Sequence, residues 1–335
     1  MTRLFENENG KRAGLKKGVP GKGLLYCALA LTVFQTLSGQ TPSDAQMMPA
    51  REACLLLGYD QGTFDRYWEG SRLRGNETIA TVDQSTILPM AAVGIINDLN
   101  FYLSLPYVRT ESSEPNGGYF SGARGFQDLG VAVKYRALRD SIGSGILQAF
   151  GTAGYSTPIS NYLSDYRPYS IGFGAPEFSL RAISQYQWNN GLYLRGSLAH
   201  LWRGYTEAER DYYYNNGSYY SAWMDVPNAW SYEAVAGKWF FDYAFKVELA
   251  YTGLASTSGD DIRAYNAAQP TNKTKFNRIG FSAQYFIKAI KGLGVVAYHN
   301  RIVDGRNVPK MSSTGFGLTY QFNYINSRND QANAQ

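Results

Sequence analysis

The chain is poor in the residues from which catalytic and metal sites are commonly built. Two cysteines and two histidines occur in 335 residues. Cys27 lies in an apolar N-terminal stretch, so Cys54 stands alone in the rest of the chain. One cysteine cannot close an intramolecular disulfide or build a cysteine zinc site. No P-loop, HExxH or CxxC pattern is present, so no motif calls for a cofactor or a metal. Proline is sparse at 12 residues and hydrophobic content is an ordinary 44%, which argues against disorder. Past the N-terminal stretch there is no apolar run of the ~20 residues that a membrane-spanning helix needs. The mean hydropathy is negative. A helical membrane bundle and a disulfide scaffold are both excluded.

What is abundant is aromatic: 27 Tyr, and 15% Phe, Trp and Tyr together. Many of these residues sit in twelve short stretches that alternate apolar and polar at period two. In 128–136, Leu129, Val131, Val133 and Tyr135 fall on one face, with Asp128, Lys134 and Arg136 on the other. In 241–251, Phe241, Tyr243, Phe245, Val247, Leu249 and Tyr251 oppose Asp242, Lys246 and Glu248. Successive side chains of a strand point to opposite faces, so each stretch has one oily and one charged face. Strand after strand of this kind predicts an all-β transmembrane antiparallel up-and-down barrel.

The alternation places strands near 53–64, 77–93, 99–110, 126–138, 143–156, 175–188, 191–205, 226–239, 243–255, 274–287, 293–304 and 312–323. Short connections (94–98, 139–142, 189–190, 240–242, 288–292) alternate with long ones (65–76, 111–125, 157–174, 206–225, 256–273, 305–311). Short periplasmic turns and long outer loops mark outer-membrane barrels. A strand of twelve residues spans roughly 40 Å, and a tilt of about 40° gives a rise near 30 Å, the thickness of a bilayer core. An exported barrel without disulfides gains its stability from closure, because every backbone polar group of the ring is paired.

Residues 1–45 read as a secretory leader. Lys11, Arg12, Lys16, Lys17 and Lys22 form a basic region, Leu24 to Leu37 an apolar one, and Ser43-Asp44-Ala45 offers a cleavage site before Gln46. Six basic residues and three acidic ones (Glu6, Glu8, Asp44) lie in the leader, so the formal net charge falls from +5 to +2 without it. No basic stripe remains to bind nucleic acid. The mature barrel is expected over 46–324, with 325–335 as a disordered polar tail. The expected partners are outer-membrane lipid, the barrel-insertion machinery and a small-molecule solute.

By the same parity, Asp128, Lys134, Arg136, Arg181, Gln185, Arg195, Asp242, Lys246, Glu248, Arg278 and Gln284 point into the lumen. Mixed charge inside a barrel either fills and rigidifies a narrow pore or forms a polar track that selects solutes. The Tyr-rich stretch 211–223 reads as an interfacial girdle or as a capture surface for ring-bearing solutes. Asp260 and Asp261, two adjacent carboxylates, could bind a divalent cation, though such a pair is weak evidence for a site. A lipid hydrolase would need a histidine poised on a serine. His200 is followed by Leu201-Trp202 and His299 by Asn300-Arg301, so the His-x-Ser spacing is missing. The chain reads as a non-enzyme.

Several stretches resemble a family of Gram-negative outer-membrane proteins named for the meta-cleavage pathway of phenol degradation. They are Leu105-Pro106-Tyr107-Val108, Gly125-Phe126-Gln127-Asp128-Leu129 and Lys134-Tyr135. Met47-Met48-Pro49, Tyr67-Trp68-Glu69-Gly70 and Asp304-Gly305-Arg306-Asn307 look like members from Bacteroidetes-type bacteria. The resemblance covers roughly 47–324. It implies an outer-membrane transporter related to channels for fatty acids and aromatic hydrocarbons, whose lumen is plugged by an N-terminal hatch. Only about seven residues separate Gln46 from the first strand here, so no such hatch is expected. The sequence reading is a passive channel for small aromatic or amphipathic solutes. The alternative is a closed barrel that anchors or displays its loops.

Overall fold

The computed structural model describes residues 41–208, 213–215, 219–262 and 268–325. Twelve antiparallel strands form one closed ring: β1 (Glu52–Phe64), β2 (Val82–Ile96), β3 (Leu99–Ser104 and Tyr107–Ser112), β4 (Arg124–Phe126 and Asp128–Ile142), β5 (Gly145–Pro158) and β6 (Glu177–Trp188) make one half. The other half is β7 (Leu192–Arg203), β8 (Ala229–Phe240), β9 (Phe245–Ser256), β10 (Lys275–Phe286), β11 (Leu293–Arg306) and β12 (Ser312–Asn323). Each strand pairs with its sequence neighbours, and β1 pairs with both β2 and β12, which closes the sheet. Closure leaves no unpaired edge. Expected and observed strands agree to within a few residues at most ends.

Alternation of hydrophobicity becomes alternation of environment. On β4, Asp128, Gly130, Ala132 and Lys134 are buried inside, while Val133 and Tyr135 are exposed outside. The outer wall carries Leu57, Leu194, Leu249, Phe281, Phe316 and Leu318, all at least half exposed. A band of large apolar side chains facing out around a closed ring suits hydrocarbon as its solvent.

Two departures have local causes. The stretch 139–142 continues β4, and the turn falls at Gly143-Ser144, where Gly143 takes φ 59°. In 240–244 the aromatic alternation runs straight through a turn. Phe241, Asp242 and Tyr243 all have positive φ (53°, 56° and 63°), and the strand begins only at Phe245. Large rings at a turn satisfy the same pattern as rings on a wall. Asp242 is therefore not a lumen residue. Its side chain is 97% exposed, 3.8 Å from Lys288 Nζ.

The break inside β3 follows from Pro106, which has no N–H for the ladder. Leu105 N donates to Pro89 O (3.1 Å) and Gln127 N donates to Pro106 O (2.9 Å), bridging the interruption on both sides.

At the long-loop end apolar clusters take up part of the interior. Residues 159–176 turn inward, burying Tyr169, Ile171 and Phe173. Phe173 joins Trp68, Ala199, Leu201, Leu254, Phe276 and Val308 in one cluster, and Tyr169 joins Phe64, Ile79, Val82 and Met311 in another. Thr110 Oγ1 donates to Tyr169 O (2.7 Å), and Ser112 Oγ and the Tyr169 hydroxyl are 2.8 Å apart. Three other loops meet at Asp261. Its carboxylate accepts from Arg306 Nε (2.8 Å) and Asn307 Nδ2 (2.9 Å), while Asn307 Oδ1 accepts from Gly70 N (2.9 Å).

Candidate functional site: the barrel lumen

A short segment, 41–49, far smaller than the hatch of the channels named above, enters the ring. Thr41, Ser43, Asp44, Ala45 and Met48 are buried inside the ring. Lys134 Nζ, 0% exposed, donates to Thr41 O (2.8 Å), Asp44 O (3.1 Å) and Asp44 Oδ1 (3.0 Å). Thr152 Oγ1 donates to Pro42 O (3.0 Å). With its amide oriented to satisfy both ends, Asn100 donates to Met48 O (3.1 Å) and accepts from Met48 N (2.7 Å). Gly94 lets the chain pass, because a Cβ there would collide with the Pro49 carbonyl. Met48 packs on Tyr102, Ala92 and Ala132, and Ala45 on Phe150 and Ile183. The segment is thus tied to the β2–β5 wall by hydrogen bonds and small contacts.

The opposite wall carries the other half of the charge. Arg195 Nε donates to Glu233 Oε1 (3.1 Å) and its Nη1 to Glu248 Oε1 (3.0 Å). Glu248 also accepts from the Tyr193 hydroxyl (2.6 Å) and Ser282 Oγ (3.3 Å), with Lys246 Nζ 3.7 Å away. All four ionised groups of this wall are under 10% exposed. Asp44 lies within Coulomb reach of Arg195 and Lys246 across the lumen. Within this cluster three cations (Lys134, Arg195, Lys246) face three anions (Asp44, Glu233, Glu248), and Arg278 with Asp60 lies buried beside it. Burying such charges is tolerable only when they are paired and hydrogen-bonded.

The remaining predicted lumen residues divide by height. Asp128, at the long-loop end, accepts from the Tyr162 hydroxyl (2.6 Å). Arg181 Nη1 donates to Ser197 Oγ (2.9 Å), Arg278 Nε donates to Thr252 Oγ1 (3.1 Å), and Gln185 and Gln284 are buried. Arg136 sits at the short-turn rim, its Nε donating to Asp98 Oδ1 (2.7 Å). Several lumen atoms have no protein hydrogen-bond partner: Gln84 Nε2, Arg278 Nη2, Thr319 Oγ1 and both amide atoms of Gln284. Such atoms require water or a solute as their partner.

Asp44, which the sequence reading assigned to the leader, is buried in the lumen, and that reading missed Glu233, which occupies an inward position between Ser231 and Val235 on β8. It also missed Glu177 and Arg203, where Arg203 Nε donates to Glu177 Oε2 (2.7 Å). His200 lies between Trp202 (tilted) and Trp230 (edge-on) on the outer wall, with ring centroids at 4.3 and 4.6 Å. His299 meets Thr314 (2.8 Å) and Ser312 (3.3 Å) at an exposed outer position. Among the described residues no group of three or more His, Cys, Asp or Glu stands together as a metal cage. The stretch 211–223 falls almost wholly outside the residues whose side chains are described.

With this geometry in hand, the sequence matches a family model over residues 68–323, described as "Putative MetA-pathway of phenol degradation". The chain belongs to this family. The match runs from the Trp68 loop to the end of β12, so it takes in every wall residue named above except those on β1. No curated protein sequence matches this chain. Among solved structures, it is similar to an outer membrane channel from Pseudomonas putida F1, with TM-score 0.66 and 14% identity over 84% of this chain and 99% of that one. It also matches the translocator domain of the autotransporter NalP from Neisseria meningitidis, with TM-score 0.42 and 12% identity over 83% and 90% of the two chains. At these identities the likeness to the Pseudomonas channel is a likeness of fold.

Proposed function

We propose that the protein is a passive channel in the outer membrane of a Gram-negative bacterium, admitting small aromatic or amphipathic solutes and catalysing no reaction. The observation that carries this reading is the make-up of the lumen. A segment that is no part of the wall occupies it, held by hydrogen bonds to Lys134, Thr152 and Asn100. Displacement of this segment would expose a track of charged side chains and unpartnered amides. The family's link to phenol degradation and the likeness to a Pseudomonas outer membrane channel support the solute class and the location. Outer-membrane lipid would surround the wall, and the barrel-insertion machinery would place it there.

A second reading is favoured by the apolar clusters around Phe173 and Tyr169, which fill the long-loop end. On that reading the barrel stays closed and serves as an anchor. Single-channel recording of the refolded protein in a planar bilayer, with and without small aromatic acids, separates the two. Stepwise current modulated by the solute is expected. A heat-modifiable barrel that stays silent would leave the anchor reading.

A further inference from the structure

Loop 159–176 brings a second guanidinium to the inner side of the long-loop end. The Arg167 guanidinium carbon lies 4.3 Å from the centroid of the Phe173 ring, and that of Arg203 lies 4.8 Å from the same ring. Two cations thus share one phenyl. Cation–π contact offsets some of the cost, but it supplies no counter-charge. Nearby acids are engaged: Glu177 accepts from Arg203 Nε, and Asp128 accepts from the Tyr162 hydroxyl, which itself receives Gly174 N (2.9 Å). Among the described residues no carboxylate pairs with Arg167. Burial, with Arg203 beside it, pushes the Arg167 guanidinium down to about 10, so it remains charged at neutral pH.

The unmet hydrogen bonds point the same way. Arg167 Nε is buried without an acceptor. Arg203 spends Nε on Glu177 and Nη1 on Pro227 O (3.4 Å), and its Nη2 is buried without one. Buried donors of this kind are expected to have partners, and the planar guanidinium fork matches a carboxylate. A polar cavity of about 450 Å³ is lined by Asn161, Tyr162, Gly174, Thr206 and Trp223; Tyr162 is within Coulomb reach of Arg167, and Gly174 follows Phe173 in the chain. We propose that Arg167 and Arg203, held on the Phe173 ring, form a binding site for a carboxylate anion carrying an aromatic ring, the two guanidiniums taking the carboxylate and the cavity beside Tyr162 and Trp223 receiving the ligand's ring. The site stands beside the channel reading, because binding is measured without any current.

The test is calorimetric titration of the full-length protein in detergent with sodium benzoate at fixed ionic strength. Benzamide serves as the neutral control and sodium chloride as the inorganic one. Saturable benzoate binding is expected, weakened roughly tenfold or more in Arg167→Gln, since a charge-assisted hydrogen bond is lost. Arg167→Lys, which keeps the charge but not the fork, should fall between and guards against a folding defect in the first variant. Equal binding of benzamide, unchanged affinity in Arg167→Gln, or no saturable response to benzoate would overturn the site. Chloride that matches benzoate at equal concentration would overturn the carboxylate assignment.

Discussion

Lys134 Nζ lies 3.0 Å from Asp44 Oδ1, although ninety positions separate the two residues in the chain. The lysine is fully buried on the barrel wall, and the aspartate belongs to the segment that threads the lumen. This pair joins the lumen's occupant to its wall. Most of what can be tested about the protein turns on it.

Asp44→Asn should leave Lys134 with two backbone carbonyls and no counter-charge. Breaking a buried pair from one side costs about 3–5 kcal/mol. Urea unfolding should show a loss toward that size, and the double variant Asp44→Asn with Lys134→Met should recover much of it. If the single and double variants are equally unstable, the pair is not coupled.

Taking the segment out of the lumen should open it. Deletion of 41–45 removes Asp44 and leaves Lys134, Arg195 and Lys246 against Glu233 and Glu248, so conductance should rise and selectivity shift toward anions. Gly94→Ala perturbs the segment sterically at Pro49 without altering charge. It should raise conductance while leaving selectivity near that of the native protein. Reversal potentials in a salt gradient read both, and a deletion with native current and selectivity would rule out the segment as the occluding element.

Arg195→Ala and Arg136→Ala should differ sharply. Arg195 is shared by two buried glutamates, so its loss should cost about 3–5 kcal/mol and turn the lumen cation-selective. Arg136 pairs at the rim with Asp98, whose side chain is 49% exposed, and solvent screening holds that pair's contribution under about 1 kcal/mol. Thermal melts and single-channel currents of both variants check the ranking. Equal effects would mean that burial does not set the weight of these charges.

The exported chain should begin at or upstream of Thr41. A leader cut before Gln46, at the small residues Ser43-Asp44-Ala45, would strip Lys134 of every acceptor it has in the segment. N-terminal sequencing of protein taken from outer membranes decides this. A mature chain starting at Gln46 would mean that the exported barrel lacks the plug.

The strands were legible in the sequence because their cause is local. Parity alone assigns Leu129, Val131 and Tyr135 to lipid and Lys134 to the lumen, and it needs no knowledge of any partner. The same rule failed at Asp242, because a turn carrying Phe241 and Tyr243 keeps the rhythm of a wall while its backbone takes positive φ. Short polar segments with no alternation carried no signal of where they would go. Asp44 looked like part of a leader, and loop 159–176 looked like any long outer loop.

The sequence by itself determined the class of fold, the number of strands and the side of the wall on which most charges stand, because period-two patterning is read residue by residue. The tertiary structure alone decided that residues 41–48 enter the lumen, that Lys134, Arg195 and Lys246 meet Asp44, Glu233 and Glu248 there, and that Arg167 meets Arg203 across one ring. Those facts depend on pairs such as Lys134 with Asp44 and Thr152 with Pro42, the latter 110 positions apart. Only closure of the ring brings such pairs within the few ångströms at which hydrogen bonds and buried charges act.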